Sequence, residues 1–357
     1  MTADHSFEVF TTSRGARIYR LLLEAFPGFT AHVHLVFADD YCMLIDCGSG
    51  YESSNAGLAS GFERVSQNIG RKIGPEDLTH ILITHGHIDH FGGLVFLRER
   101  TKALVGVHEL DWQTITRHEE RLAVMSRRLE EFIAEAGVPV EERGPMITMS
   151  KFTKAIYRSV PVDFTYEAAG MKVGAFEMVH LPGHCPGHVA IRLHDVVFCG
   201  DHALMGITPH QAPERLAQYM GVGHYLASLS LFEGWAEKAR LVFSGHGEVI
   251  TDLPACAARI RQQLALRLQK ALDILAEPHT IAEVAAHLYS DVNGYYALLA
   301  VEKTGALIEY LYQRGLLGIT NLGELESSIQ PAVIKYRRLN KAASSDILPK
   351  ERANVFV

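Results

Sequence analysis

The chain is 357 residues long, 48% hydrophobic and 21% charged, a globular composition that excludes a disordered chain. The length suggests one large catalytic domain with an appendage. With 34 Lys and Arg against 41 Asp and Glu the net charge is −7, which argues against strong nucleic-acid binding, because neutralising phosphates needs a surplus of cations.

The predicted elements run in chain order. Residues 8–47 read as strands, with β-rich runs at 31–38 and 42–46 separated by the turn Asp39-Asp40. Residues 54–72 read as a helix that Gly74-Pro75 ends. The short apolar run 78–84 (LTHILIT) reads as a buried strand. Residues 109–136 are amphipathic, with Leu122, Met125, Leu129, Phe132 and Ile133 at three- and four-residue spacings, and Gly137 and Pro139 stop that helix. The Met-rich stretch to about 160 reads as less regular. Strands return at 176–180, 189–193, 196–199 and 241–243. After Pro254 the pattern turns helical, over 255–277, 280–289 and 298–313. The expected division is a catalytic domain at 1–252, a helical domain at 253–340 and a loosely held tail at 341–357.

Five cysteines, an odd number with no C-x-x-C pair, argue against a disulfide framework and for a reducing compartment. The first residues show no basic segment followed by an apolar stretch, and no apolar run reaches the roughly 18–20 residues that span a bilayer. The expectation is a cytoplasmic protein without a membrane segment.

The chain carries 19 histidines. Histidine is the commonest metal-ligating side chain, and here it clusters. His85-x-His87-x-Asp89-His90 follows the strand at 78–84 directly. A regular helix could not aim all four side chains at one centre, but a loop at a strand end can. Gly86, Gly92 and Gly93 permit the tight backbone. Imidazole nitrogen and carboxylate oxygen suit zinc, iron or manganese. Three more candidates each follow a β-like run: His184, Asp201 and His246.

This ordered set, with Asp46 before it, resembles the metallo-β-lactamase-fold superfamily over residues 15–250, and its metal motif is glyoxalase II-like. The resemblance implies an α/β fold, a four-layer αβ/βα sandwich with two divalent ions at its edge, zinc first and iron or manganese as alternatives. It implies that His85, His87 and His184 hold one ion, that Asp89, His90 and His246 hold the other, and that Asp201 bridges them. Asp46 matches the family's structural aspartate, which orients the ligand loop without touching metal. Two cations about 3.5–4 Å apart lower the pKa of a shared water from 15.7 towards 7. The implied reaction is attack of that metal-bridging hydroxide on an ester-type carbonyl of a small molecule: a thioester, lactone or carboxylic ester. Asp89 is the expected proton relay. Tyr225 is the expected oxyanion donor, since related hydrolases place a tyrosine in this stretch. His180 and His188 are expected to orient ligands, and His202, His210 and His224 to surround the cleft.

Residues 255–320 resemble the winged-helix appendage of some superfamily hydrolases. Thr280 and Glu283 stand at capping-box positions, and 307–318 (LIEYLYQRGLLG) resembles the helix-to-wing passage. Residues 251–357 hold 12 Lys and Arg against 11 Asp and Glu, which speaks against nucleic acid as a partner. The module is expected to pack on the catalytic domain, wall the cleft or support a homodimer. The stretch 109–160, with Met125, Met146, Met149, Phe152, Ile156 and Tyr157, is the expected lid. Two rival activities stand beside the hydrolase. One is phosphodiester cleavage of the endoribonuclease kind. The other is a mono-iron sulfur dioxygenase. The flavodiiron type is disfavoured, because it has Glu where His87 stands.

Overall fold

The computed structural model describes residues 7–154, 157–328, 331–339 and 348. The expected tail at 341–357 and the lid side chains Phe152 and Ile156 lie outside the described residues, apart from Leu348.

The chain forms two compact units. The first comprises 1–123, 153–209 and 225–257 and holds two sheets. Strands β1 (Glu8–Thr11), β2 (Arg17–Phe26), β3 (Phe29–Ala38) and β4 (Tyr41–Ile45) are antiparallel neighbours. Strands β5 (His80–Leu82), β6 (Leu104–Val107) and β7 (Phe164–Thr165) continue the sheet in parallel. The second sheet takes β8 (Lys172–Val173), β9 (Phe176–His180), β10 (Val189–Leu193), β11 (Val196–Gly200) and β12 (Leu241–Ser244), with β11 and β12 parallel.

Side chains alternate across a strand, and this alternation makes the layers. Leu21, Leu23, Val33, Leu35, Leu44 and Ile81 face one way, into a core with Leu58, Phe62 and Val65 of helix α1 (Glu52–Ile69) and with Phe91 and Leu94. Ile18, Val36, Met43, Ile45 and Leu82 face the other way, against Met178, Ile191, Phe198 and Phe243 of the second sheet. The short helices α2 (Ile88–Phe91) and α3 (Leu94–Arg98) follow β5, and α4 (Glu109–Thr116) follows β6. The helical stretch expected over 109–136 is thus two helices, α4 and α5 (His118–Glu135), broken at Arg117.

The stretch to 160, expected to be irregular, contains the helix α6 (Val140–Lys154), which carries Pro145 in its interior. Glu141 and Glu142 in its first turn suit the positive end of the helix dipole, and Met146, Ile147 and Ser150 are buried. Packing of that face outweighs the proline's local cost. Helix α7 (Val222–Trp235) precedes β12, and within the first unit the Arg192 guanidinium of β10 lies 4.5 Å from the Trp235 ring centroid.

The second unit comprises 124–152, 210–224 and 258–357. It takes most of α8 (Leu253–Ile274), then α9 (Ile281–Leu288), α10 (Gly294–Gln313), an antiparallel ribbon of β13 (Leu317–Ile319) and β14 (Tyr336–Arg338), and α11 (Leu322–Ser327) between those strands. The capping box forms: Glu283 N donates to Thr280 Oγ1 at 3.1 Å, and Thr280 N donates to Glu283 Oε2 at 2.7 Å.

Most of the expected lid belongs to this unit. Ala282 N donates to Ala136 O at 2.8 Å and Ile334 N to Glu135 O at 2.9 Å. Glu135 pairs with Arg215, and the Glu309 carboxylate accepts from Glu214 N at 2.7 Å. Residues 124–152 and 210–224 group with the helical unit, whose last stretch begins at 258.

Candidate metal centre

The candidate residues leave the strands at one end of the sandwich. Asp46 follows β4, residues 85–90 follow β5, His184 follows β9, Asp201 follows β11 and His246 follows β12. The 85–90 segment is a loop that closes into the single turn α2, with His87 at its N-cap. Asp89 and His90 stand on that turn and leave the line of His85 and His87, with Asp89 Oδ2 3.6 Å from His90 Nε2.

Two donor groups result. Atoms of His85, His87, His184 and Asp201 lie within 4.8 Å of one another, and so do atoms of Asp89, His90 and His246. Asp201 stands between them. Its Oδ1 is 3.4 Å from His90 Nε2, and its Oδ2 is 3.2 Å from His246 Nε2 and 3.7 Å from His184 Nε2. His85 Nε2 is 3.1 Å from His87 Nδ1.

Several neighbours fix which ring nitrogen faces the centre. Thr84 gives its one hydroxyl proton to Asp46 Oδ2 at 2.8 Å, so its oxygen accepts from His85 Nδ1 at 3.0 Å. His85 Nε2 then faces the group as a lone pair. His246 Nδ1 donates to Thr30 O at 2.7 Å, and His90 Nδ1 donates to Asp46 Oδ2 at 2.8 Å. Asp46 sits at φ 58° and also accepts Thr84 N at 2.8 Å. It thereby ties the loop after β5 to His90, and its carboxylate stays out of both donor groups.

The residues fit divalent ions. His90 Nε2 and Asp201 Oδ1 are buried without a hydrogen bond, facing each other across 3.4 Å. Buried polar atoms are normally satisfied, and a cation is the partner that an imidazole lone pair and a carboxylate oxygen can share. Gly245 leaves that space open: a Cβ there would stand 2.4 Å from Asp201 Oδ1 and 2.5 Å from His90 Cε1.

Electrostatics separate the two groups. Burial holds His85 and His87 well below the ordinary histidine value, and the neighbouring histidines add to this. Burial also disfavours charge on His246 and His90, but facing carboxylates overcome it. His246 is raised to about 10, chiefly by Asp201 and then Asp89, and His90 is raised well above 6.5 by Asp201, Asp46 and Asp89. Burial likewise works against ionised Asp89, yet the charges of His90 and His246 hold it down at about 2.

The surrounding histidines divide. His188 Nε2 accepts from Asp201 N at 3.2 Å, and its ring stacks on His85 at 4.8 Å. His180 Nε2 donates to Pro186 O at 2.8 Å and stacks on His108 at 3.9 Å. His202 is buried between Tyr225 and Phe232. His210 and His224 belong to the second unit, where they pair with Glu302 and Glu214, each at 3.1 Å.

Tyr225, expected as an oxyanion donor, is placed differently. It is fully buried, its hydroxyl donates to His202 O at 2.8 Å, and its backbone fills the space beside Gly183. Its hydroxyl is thereby bound to the residue that follows Asp201.

Two further residues were not anticipated. The Arg20 guanidinium, only 4% exposed, donates to Gly247 O and lies 3.1 Å from His32 Nδ1, while His32 N donates to Gly245 O at 2.7 Å. This network holds the loop that carries His246. Asp111, in the first turn of α4, accepts Gly86 N at 2.7 Å and Gly187 N at 3.1 Å. Asp111 left no signal near it in the sequence, since the amides it accepts lie 25 and 76 residues away. Arg20 left none, because the loop carbonyl it holds, Gly247 O, lies 227 residues away.

A two-sheet αβ/βα sandwich with His and Asp donors on its terminal loops defines a metal-binding class of protein. The chain belongs to the metallo-beta-lactamase superfamily, whose sequence profile matches residues 27–246. Two solved structures share the fold. A metallo-beta-lactamase family protein from Thermus thermophilus has a TM-score of 0.70 at 23% identity, over 90% of this chain and 98% of that one. A beta-lactamase domain protein from Burkholderia ambifaria has a TM-score of 0.68 at 20% identity, over 94% and 97%. A curated relative, the hydroxyacylglutathione hydrolase of Shewanella pealeana, is 25% identical over 252 residues, 71% of this chain; the chain spans 63% of that relative's length. Among the described residues no helix is long and apolar enough to cross a membrane.

Proposed function

We propose that the protein is a dinuclear metallohydrolase acting on an ester-type carbonyl, with a thioester as the first candidate and a lactone or carboxylic ester next. The observation that carries this reading is the pair of adjacent donor groups with Asp201 between them. The thioester preference draws on the name of the Shewanella relative.

In this reading His85, His87 and His184 hold one ion, Asp89, His90 and His246 hold the second, and Asp201 serves both. Imidazole and carboxylate donors suit zinc, with iron and manganese as alternatives. When bound, the ions supply an acidified water and positive charge for the carbonyl oxygen. The chain's own residues prepare that chemistry. Thr84 and Thr30 fix the orientation of His85 and His246, so His85 presents an Nε2 lone pair and His246 presents one once its Nε2 proton is displaced. Asp89, held ionised at neutral pH, would take the proton that the attacking water loses and pass it to the leaving group. Tyr225 and His188 hold the Asp201 turn from behind.

The helical region with its short ribbon is proposed as a winged-helix-like module that serves a small-molecule enzyme rather than reading nucleic acid, given its nearly balanced charge. Cytoplasmic localisation and a homodimer belong to the same proposal. The test is a hydrolysis screen over thioesters, lactones, carboxylic esters and phosphodiesters, with metal-loaded and chelator-stripped protein. Metal-dependent turnover of a carbonyl ester supports the reading. Cleavage of phosphodiesters alone, or oxygen uptake on a persulfide with one iron per chain, overturns it.

A further inference from the structure

Asp111 occupies an unusual place for a carboxylate. It is 1% exposed and stands on α4, outside the six-residue motif and outside both donor groups. Its Oδ2 accepts the backbone N–H of Gly86, the residue between His85 and His87. Its Oδ1 accepts the backbone N–H of Gly187, three residues past His184. The Cys185 thiol donates to the same carboxylate at 3.4 Å. One side chain therefore joins two loops that are remote in sequence, and those loops supply the three histidines of the first group.

Glycine at both contact points is required by space. A Cβ on Gly86 would lie 2.9 Å from Asp111 Cγ, and one on Gly187 would lie 2.7 Å from it. Those approaches are too close for any side chain. An ionised carboxylate has lone pairs for both N–H groups at once. An asparagine of the same shape has not: its NH2 end would oppose one of the two N–H donors and leave that buried donor unmet.

We propose that Asp111 is a positioning residue that sets the separation of His85 and His87 from His184, and so sets the affinity of the first group for its ion. The inference rests on reading the two donor groups as a metal centre. Asp111 makes no bond to Asp89, His90 or His246, so its effect is selective for the first group. Outer residues that orient ligands typically govern 10–100-fold in metal affinity.

The test is cobalt(II) titration of metal-free protein, followed by visible absorption and calorimetry, on the parent, Asp111→Asn and Gly187→Ala. Gly187→Ala keeps the carboxylate and displaces it, so it checks the same contact by another route. Thermal unfolding of each metal-free chain reports folding separately. The expected result is one cobalt equivalent weakened 10–100-fold in both variants, with its absorption bands altered and the other equivalent unchanged. A merely structural role would lower the melting temperature without singling out one equivalent. Two equivalents bound as tightly as in the parent, or both weakened alike, would overturn the inference alone. A parent that takes up no cobalt would overturn the metal reading and this inference with it.

Discussion

The two donor groups share Asp201 but solve opposite problems. The first sets three imidazoles and Asp201 around a common centre, and burial disfavours a proton charge on His85 and His87. The second sets His90 and His246 against carboxylates, and those carboxylates hold protons on the rings when no other cation is present. The first group is therefore ready for a cation, while the second must exchange protons for one. Their scaffolds differ too. Asp111 and Thr84 hold the first through backbone N–H groups and one ring nitrogen, whereas Arg20, His32 and Thr30 hold the His246 loop largely through backbone groups.

Removing a donor from each side gives the largest expected effect. His184→Ala should lose the first ion and His246→Ala the second, each cutting turnover by more than about a hundredfold, since even outer residues govern 10–100-fold. Metal content by elemental analysis checks this. Loss of both ions in either variant would mean that the groups are one cooperative unit and would break the comparison.

Gly245→Ala is the sharper probe of the second group. Its Cβ would press on His90 and on Asp201 Oδ1, the carboxylate oxygen that faces His90. The expected outcome is selective loss of the second ion, seen as a drop towards one metal per chain. Asp46→Asn should act on both sides, because Asp46 holds Thr84 behind His85 and also His90. Each metal equivalent should weaken roughly tenfold or more, measured by competition with a chromophoric chelator.

The smallest effect is the pH response of the metal-free chain, where the groups should pull in opposite directions. His246 has its folded value raised from 6.5 to about 10. Its contribution to stability is full below about 6.5 and is lost as pH rises through about 10. His85 and His87 have lowered values, so their contribution is present above about 6.5 and fades as pH falls. Melting temperatures across that range should decline towards both ends, with a smaller alkaline decline in His246→Gln. A flat alkaline limb in the parent would contradict the assignment of His246.

The donors were legible because side-chain type and spacing carry their signal: His85-x-His87-x-Asp89-His90 announces itself in one line of sequence. Strands such as β3 and β5 were legible as short apolar, β-rich runs. Residues that work through backbone groups were not. Asp111 lies 25 and 76 residues from the amides it accepts, and nothing local marks it. Tyr225 shows the converse. Its position in the chain suggested substrate contact, but only the fold reveals that its hydroxyl is committed to His202 O. Helix α6 was obscured by Pro145, a local signal that tertiary packing overrode. The grouping of 124–152 with the C-terminal helices depends on bonds such as Ala282 N to Ala136 O, which no local pattern foretells.

The central claim is that two ions, one per group, drive hydrolysis of an ester-type carbonyl. The most direct measurement is the initial rate of S-acylglutathione hydrolysis as zinc is added back to chelator-stripped protein. The account predicts no turnover without metal and a rate that saturates at two equivalents per chain. Full turnover in the stripped protein, or saturation at one equivalent, would contradict it.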